Sequence, residues 1–145
     1  RMRKLVTRGL SYEKAVEVVR ESTVFTTHTP VPAGNDRFEP ALFAKYMKTY
    51  EGDLGLKKQE LLALGREDES DTQEHFCMTV LALKLAEHCN GVAKLHGETS
   101  RGMWMRVFNA KTTKQVPIGH VTNGVHPETW IADEARPFYN MVLKP

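Results

Sequence analysis

Any chemistry in this chain must come from a short list of side chains. Six histidines stand at positions 28, 75, 88, 96, 120 and 126, two cysteines at 77 and 89, and Asn-Gly pairs at 90–91 and 123–124. No His-Glu-x-x-His is present and neither cysteine belongs to a C-x-x-C pair, the spacings that bind transition metals. His88 and Cys89 are adjacent, so they would point to different sides of a helix or strand. The expectation is therefore no metal. The sequence also has no G-x-G-x-x-G, no P-loop and no G-x-S-x-G. The acidic stretch REDESDTQE (66–74) lacks the spaced ligands and central glycine of a calcium loop and reads as a solvated loop.

Three segments share one pattern, an apolar run that ends in a sharp polar turn: VFTTHTP (24–30), HCNGVAKLHGE (88–98) and IGHVTNGVHP (118–127). In open α/β sheets, ligands bind where strands end at their carboxyl side and loops meet helix N-termini. His28, Asn90 and Asn123 would all lie near such ends. Taken singly, each has a plainer explanation. Asn-Gly tolerates positive φ and suits ordinary turns, and a lone histidine is more often hydrogen-bonded structure than catalyst. The first segment is the least ordinary, because Pro30 and Pro32 stiffen the chain directly after His28.

The elements that would position these residues can be read from apolar spacing. Ser11 is an N-cap for a helix over 12–21, with Tyr12, Ala15, Val16 and Val19 on one face. A strand over 23–27 follows almost without a loop, the tight spacing of an α/β layered domain. Phe38, Leu42, Phe43, Tyr46, Met47 and Tyr50 recur at helical spacing, and Pro40 suits a first turn. An amphipathic piece over 56–64 ends at Gly65, a natural position for a left-handed cap. Residues 76–86 are apolar nearly all round and predict a buried helix. Short strands over 89–93 and 116–121 flank a helix over 95–106. Pro127 opens a short helix through Trp130, and a last helix spans 133–143. Trp104 and Trp130 read as packing anchors. The fold class is α/β and helix-rich, with about three strands, too few for a comfortable sheet and so the pattern of part of something larger.

Composition narrows the function classes. The chain has 145 residues, 26% charged and 41% hydrophobic, the balance of a globular domain. Net charge is +2 with the signs interspersed, which gives no footprint for nucleic acid or an anionic membrane. No apolar run approaches the roughly 20 residues of a membrane span. Cys77 and Cys89 lie in apolar surroundings, as reduced core thiols of a cytoplasmic protein do. The first residue is Arg1, so the lack of a visible leader says little about targeting.

Taken together and in this order, TTHTPVPAGNDRF, NGVAKLHGE and VTNGVHPETW resemble the α-glucan phosphorylases (glycogen, starch and maltodextrin phosphorylases), above all their short bacterial and archaeal form. The match runs from Thr23 to Trp130. The resemblance implies a fragment of an enzyme several times longer. Its fold would be a partial Rossmann-like domain in the N-terminal half of a two-domain GT-B glycosyltransferase. Residues 1–130 would be the C-terminal part of that first domain, and 131–145 the segment crossing toward the second. The implied reaction is cleavage of terminal α-1,4-linked glucose by phosphate to give glucose 1-phosphate, with pyridoxal phosphate as proton-relaying cofactor. The cofactor's lysine and the residues that hold phosphate belong to the missing second domain. The implied partners are an α-1,4-glucan or maltodextrin, phosphate, glucose 1-phosphate and that second domain. The piece alone is expected to be inactive, and exposed sheet edges leave homo-oligomerisation open.

Carried over by motif, His28 matches the catalytic-site histidine that contacts the glucose at the cleavage point. Asn123 matches the asparagine bonded to that sugar's 6-hydroxyl, and Val92 matches an apolar wall of the same pocket. A neutral hexose calls for just such fixed polar groups beside an apolar face. Pre-organisation would explain the two prolines, since a rigid loop holds an imidazole against a glucosyl ring. The chain departs from the long forms at Ala33-Gly34-Asn35-Asp36, where they carry Glu-Ala-Leu-Glu. It also departs at Gly97, where they carry serine, and at His126-Pro127-Glu128. Two alternatives stay open: a nucleotide-sugar glucosyltransferase of the glycogen synthase type, which does not typically carry His-Thr-Pro-Val-Pro, and a non-catalytic carbohydrate-binding module.

Overall fold

The computed structural model describes residues 1–143 and opens with a helix that apolar spacing does not announce. α1 (Met2–Thr7) is short and has no side-chain cap; it packs on later helices, with Arg3 Nε 2.7 Å from the Asp53 carboxylate. α2 (Tyr12–Glu21) falls on the expected residues, and Ser11 Oγ accepts the Lys14 amide at 3.3 Å. Its buried residues Ala15 and Val19 are one turn apart.

β1 (Val24–Thr27) leads through a 3₁₀ turn at Pro32–Gly34 to β2 (Arg37–Phe38). Pro40 opens α3 (Pro40–Leu54), which stops at Gly55, where φ of 68° supplies the left-handed cap. α4 (Lys58–Ala63) follows. Gly65 then lies outside the left-handed region, against expectation. Its reason is room: a Cβ there would stand 2.5 Å from the Phe76 ring.

The apolar stretch 76–86 is not one helix. β3 (Phe76–Cys77) pairs antiparallel with β2, and the Cys77 amide donates to Gly65 O at 2.7 Å. Only then does α5 (Met78–Lys84) begin. β4 (His88–Gly91), α6 (Lys94–Met103), β5 (Ile118–His120), α7 (Pro127–Trp130) and α8 (Arg136–Val142) complete the described chain.

β1, β4 and β5 form a three-stranded parallel sheet in that spatial order, with Cys89 opposite both Phe25 and Ile118. The chain is thus α/β, as the spacing predicts. Phe25, Cys89 and Ile118 face a core built with Cys77, Val80 and Leu83 from β3 and α5 and Trp104 just after α6. A second core gathers Phe43, Leu54, Leu61, Leu62 and Phe76, with Phe43 and Phe76 stacked at 3.7 Å between centroids. The neighbours Phe76 and Cys77 belong one to each core, so β3 joins them. Both cysteines are buried and free, and burial raises the Cys89 thiol pKa.

The acidic stretch is more organised than a solvated loop. Arg66, 1% exposed, donates to Glu74 O, Thr72 O and Gln59 Oε1 at 3.0–3.3 Å. The Glu74 carboxylate accepts the Glu67 and Asp68 amides at 2.8 and 2.9 Å. Arg37, Lys84 and Arg106 pair with Glu67, Glu69 and Asp68 at 2.6, 2.8 and 3.0 Å, tying the loop to β2, α5 and the turn after α6. Trp104 is the packing anchor expected of it, at 2% exposed, but Trp130 is not, at 80%. α7 is a single four-residue turn, and neither α7 nor α8 has a buried residue.

Candidate functional site

The strand register decides which residues share an edge. Thr27 lies opposite Gly91, and Gly91 opposite His120, at the carboxyl end of the parallel sheet. The next residues outward are His28, Val92 and Val121. The ladder then continues past the strands: the Val121 amide donates to Gly91 O at 2.9 Å and the Asn123 amide to Val92 O at 3.0 Å. His28, Val92 and Asn123 therefore emerge on one side of the molecule from three adjacent strands. His28 and Asn123 are exposed and Val92 is half-buried. That is an open edge with one polar group at each end and an apolar residue between.

Asn90 does not join them. It lies within β4, one residue short of the edge, and its Oδ1 accepts the Thr26 hydroxyl from the neighbouring strand at 3.0 Å. Nor do the Asn-Gly pairs serve as left-handed turns. Among the described residues, positive φ occurs only at Gly9, Gly55 and Asn109, so Gly91, Asn123 and Gly124 need another explanation. For Gly91 it is close packing: a Cβ would stand 2.8 Å from the Gly97 amide nitrogen and 3.1 Å from Gly97 Cα. A Cβ on Gly97 would in turn lie 2.8 Å from Gly119 O. α6 lies directly on β4 and β5 because both surfaces are glycine, and this brings its first turn beside Val92.

The loop after His28 is held by more than its prolines. The Thr29 methyl occupies the space where a Cβ of Gly34 would fall, so any larger residue there would have to displace the Thr29 side chain. Asn35, 8% exposed, donates from Nδ2 to Val31 O at 3.1 Å and accepts the Thr79 hydroxyl on Oδ1 at 2.7 Å. Asp36 O accepts the Met78 amide at 3.3 Å. The loop is therefore pinned to the start of α5. Only the fold shows that Asn35 reaches 44 residues along the chain.

One further residue belongs to the site. His96, in the first turn of α6, accepts the Val92 amide on Nδ1 at 3.2 Å. Ala93 at the N-cap has no side chain with which to do this. A histidine three residues past an incapable cap was a readable signal, akin to the third-residue member of a capping box.

An α/β domain whose parallel strands deliver their loops to one edge is the class of protein that presents ligand-binding residues there. No protein-family model matches the chain. Among curated proteins it is 45% identical over 141 residues to a glycogen phosphorylase of Mycobacterium tuberculosis, covering 92% of this chain and 16% of that protein. It is 40% identical over 128 residues to a maltodextrin phosphorylase of Thermococcus litoralis, covering 88% of this chain and 15% of the relative. It is also 36% identical over 140 residues to a glycogen phosphorylase of Aquifex aeolicus, covering 97% of this chain and 20% of the relative. Along this stretch the chain belongs to the glycogen and maltodextrin phosphorylase family. It spans between 15 and 20% of the length of these relatives.

Proposed function

We propose that this chain supplies part of the glucosyl pocket of an α-1,4-glucan phosphorylase, which releases terminal glucose as glucose 1-phosphate. The observation that carries the reading is the row at the carboxyl edge, where the Asn123 amide bonds to Val92 O beside the end of the strand that carries His28. In this reading Asn123 bonds the 6-hydroxyl of the reacting sugar, Val92 packs against its apolar face, and His28 lies against the ring where positive charge develops as the glycosidic bond breaks. An imidazole held in place there stabilises that charge without having to reorganise during the reaction.

On the same reading the chain is one part of a GT-B enzyme of the cytoplasm. Residues 1–130 close its first Rossmann-like domain and 131–145 cross toward the second; of that crossing, residues 144 and 145 lie outside the described residues. The enzyme would use glucan or maltodextrin, phosphate and pyridoxal phosphate. The three edge side chains include no lysine amine to anchor the cofactor, so no step is assigned to pyridoxal phosphate in this chain. Its place is in the rest of the enzyme, and this piece alone should have no phosphorolytic activity.

The test is a graft that replaces the matched 141 residues of the mycobacterial glycogen phosphorylase with this segment. The graft should phosphorolyse maltodextrin, and His28→Ala in it should lower kcat by about 10²–10³-fold, the usual loss for one electrostatic contact to a transition state. A His28→Ala graft with kcat within about twofold of the parent graft refutes the assignment.

A further inference from the structure

Among the described residues, the ring of the histidine in α6 has a single polar contact. His96 is 9% exposed; its Nδ1 accepts the Val92 amide, and its buried Nε2 has no hydrogen-bond partner among the described residues. A buried imidazole costs more to desolvate than a leucine of similar size, and here its visible return is that one backbone bond. Val92 is then fixed through both of its backbone polar groups. Its N–H goes to His96, and its C=O accepts the Asn123 amide at 3.0 Å. The three residues form a continuous hydrogen-bonded chain from α6 through the end of β4 to the segment after β5.

We infer that His96 is a positioning residue, which sets the places of Val92 and, through Val92 O, of Asn123. The inference deepens the pocket reading above and rests on it for its link to sugar. The packing supports the assignment. The backbone of α6 is pressed onto Gly91 and Gly119, leaving its first turn little freedom to move. A side chain there is a rigid reference point for the edge. Val92 follows the last residue of β4 and precedes the helix, so its N–H has no strand or helix carbonyl to meet and goes to His96 instead.

The test on the chain itself is amide hydrogen exchange at Val92 and Asn123, read by NMR, which needs neither sugar nor turnover. His96→Asn keeps an acceptor oxygen near the place of Nδ1, whereas His96→Gln carries its oxygen one carbon further, toward the place of Nε2. The bond held by His96 is worth about a factor of ten in local opening. Exchange at both amides should therefore quicken by about tenfold in the Gln variant and stay within about threefold in the Asn variant. Amides of α2, remote from the edge, serve as the reference and should not change. If Val92 and Asn123 exchange at the wild-type rate in the Gln variant, or quicken equally in both variants, the inference is overturned. In the mycobacterial graft, His96→Gln should raise KM for glucose 1-phosphate more than it lowers kcat, and His96→Asn should restore KM. An unchanged KM in the Gln graft removes His96 from the sugar site. A parent graft without activity would count against the pocket reading instead, and the exchange result would still decide what His96 holds.

Discussion

Asn35 offers the sharpest test of why the loop after His28 is stiff. Its side chain is almost fully buried and bridges the loop to α5, donating to Val31 O at 3.1 Å and accepting from Thr79 Oγ1 at 2.7 Å. Asn35→Ala removes both bonds and leaves the half-buried Thr79 hydroxyl without its partner, while Val31 O keeps only the Gly34 amide at 3.2 Å. At roughly 1–1.5 kcal/mol for each bond lost, the total is about 2–3 kcal/mol. For a chain of this size that is a fall of roughly 4–12 °C in Tm. Asn35→Asp separates the two halves. It keeps the acceptor for Thr79 but sets a carboxylate oxygen against Val31 O, and should cost about 1–3 kcal/mol from that half alone. Urea unfolding of Asn35→Ala, Thr79→Val and the double variant gives the coupling directly. The two groups touch, so a coupling of at least about 0.5 kcal/mol is expected. Additive losses, or an Asn35→Ala chain as stable as wild type, would show that the Asn35 bridge does not hold the loop.

Other consequences are smaller. Gly91→Ala should destabilise by about 1–3 kcal/mol, because the new Cβ meets only α6 backbone, at 2.8–3.1 Å, and none of it can rotate away. Gly102→Ala, in the same helix with open space around it, should stabilise by about 0.5–1 kcal/mol, and the two melting curves shifting the same way would refute the packing account. Asp68 has its carboxyl pKa lowered by Ser70, through its hydroxyl and amide, and then by Arg106. Since its folded pKa is below the unfolded one, its contribution is present above the ordinary carboxylate value of 3.8 and is lost as pH falls through the lower folded value. Asp68→Asn should thus melt earlier than wild type near neutral pH and match it at strongly acid pH; equal Tm values at both would count against a stabilising role for the bonds to Ser70 and Arg106.

Elements with strong local signals were legible and those made by distant partners were not. α2 declares itself through Ser11 and one apolar face, and α3 through Pro40 and its aromatic spacing. The three parallel strands could be placed because each runs into a polar turn. The same pattern picked out His28 and Asn123 together with Asn90, which the register leaves short of the edge; Val92 came only from the family resemblance. β3 was hidden because Phe76 and Cys77 are as apolar as the helix behind them. What makes them strand is a pairing with Arg37 and Phe38 from 38 to 40 positions earlier. α1 was hidden for the opposite reason, having no cap and no buried residue of its own. The acidic stretch looked solvated because charge was read without the arginines that meet it. Gly65 and Gly91 looked like turn glycines because sequence shows the missing side chain and not the ring or helix that fills its place.

The central claim is that Asn123 reads a sugar hydroxyl, and the synthetic reaction of the mycobacterial graft tests it most directly. A side-chain amide that bound sugar covers but leaves without its partner costs about 1–3 kcal/mol, so the graft should use glucose 1-phosphate well and xylose 1-phosphate, which lacks the 6-hydroxyl, poorly. Asn123→Ala should lower activity on the first while leaving the second almost unchanged, so that the preference collapses. Asn123→Gly should behave in the same way, because the backbone at Asn123 has no positive φ for glycine to relieve. If the Asn123→Gly graft keeps full activity and full preference for glucose 1-phosphate, the side chain does not touch the sugar and the account is wrong.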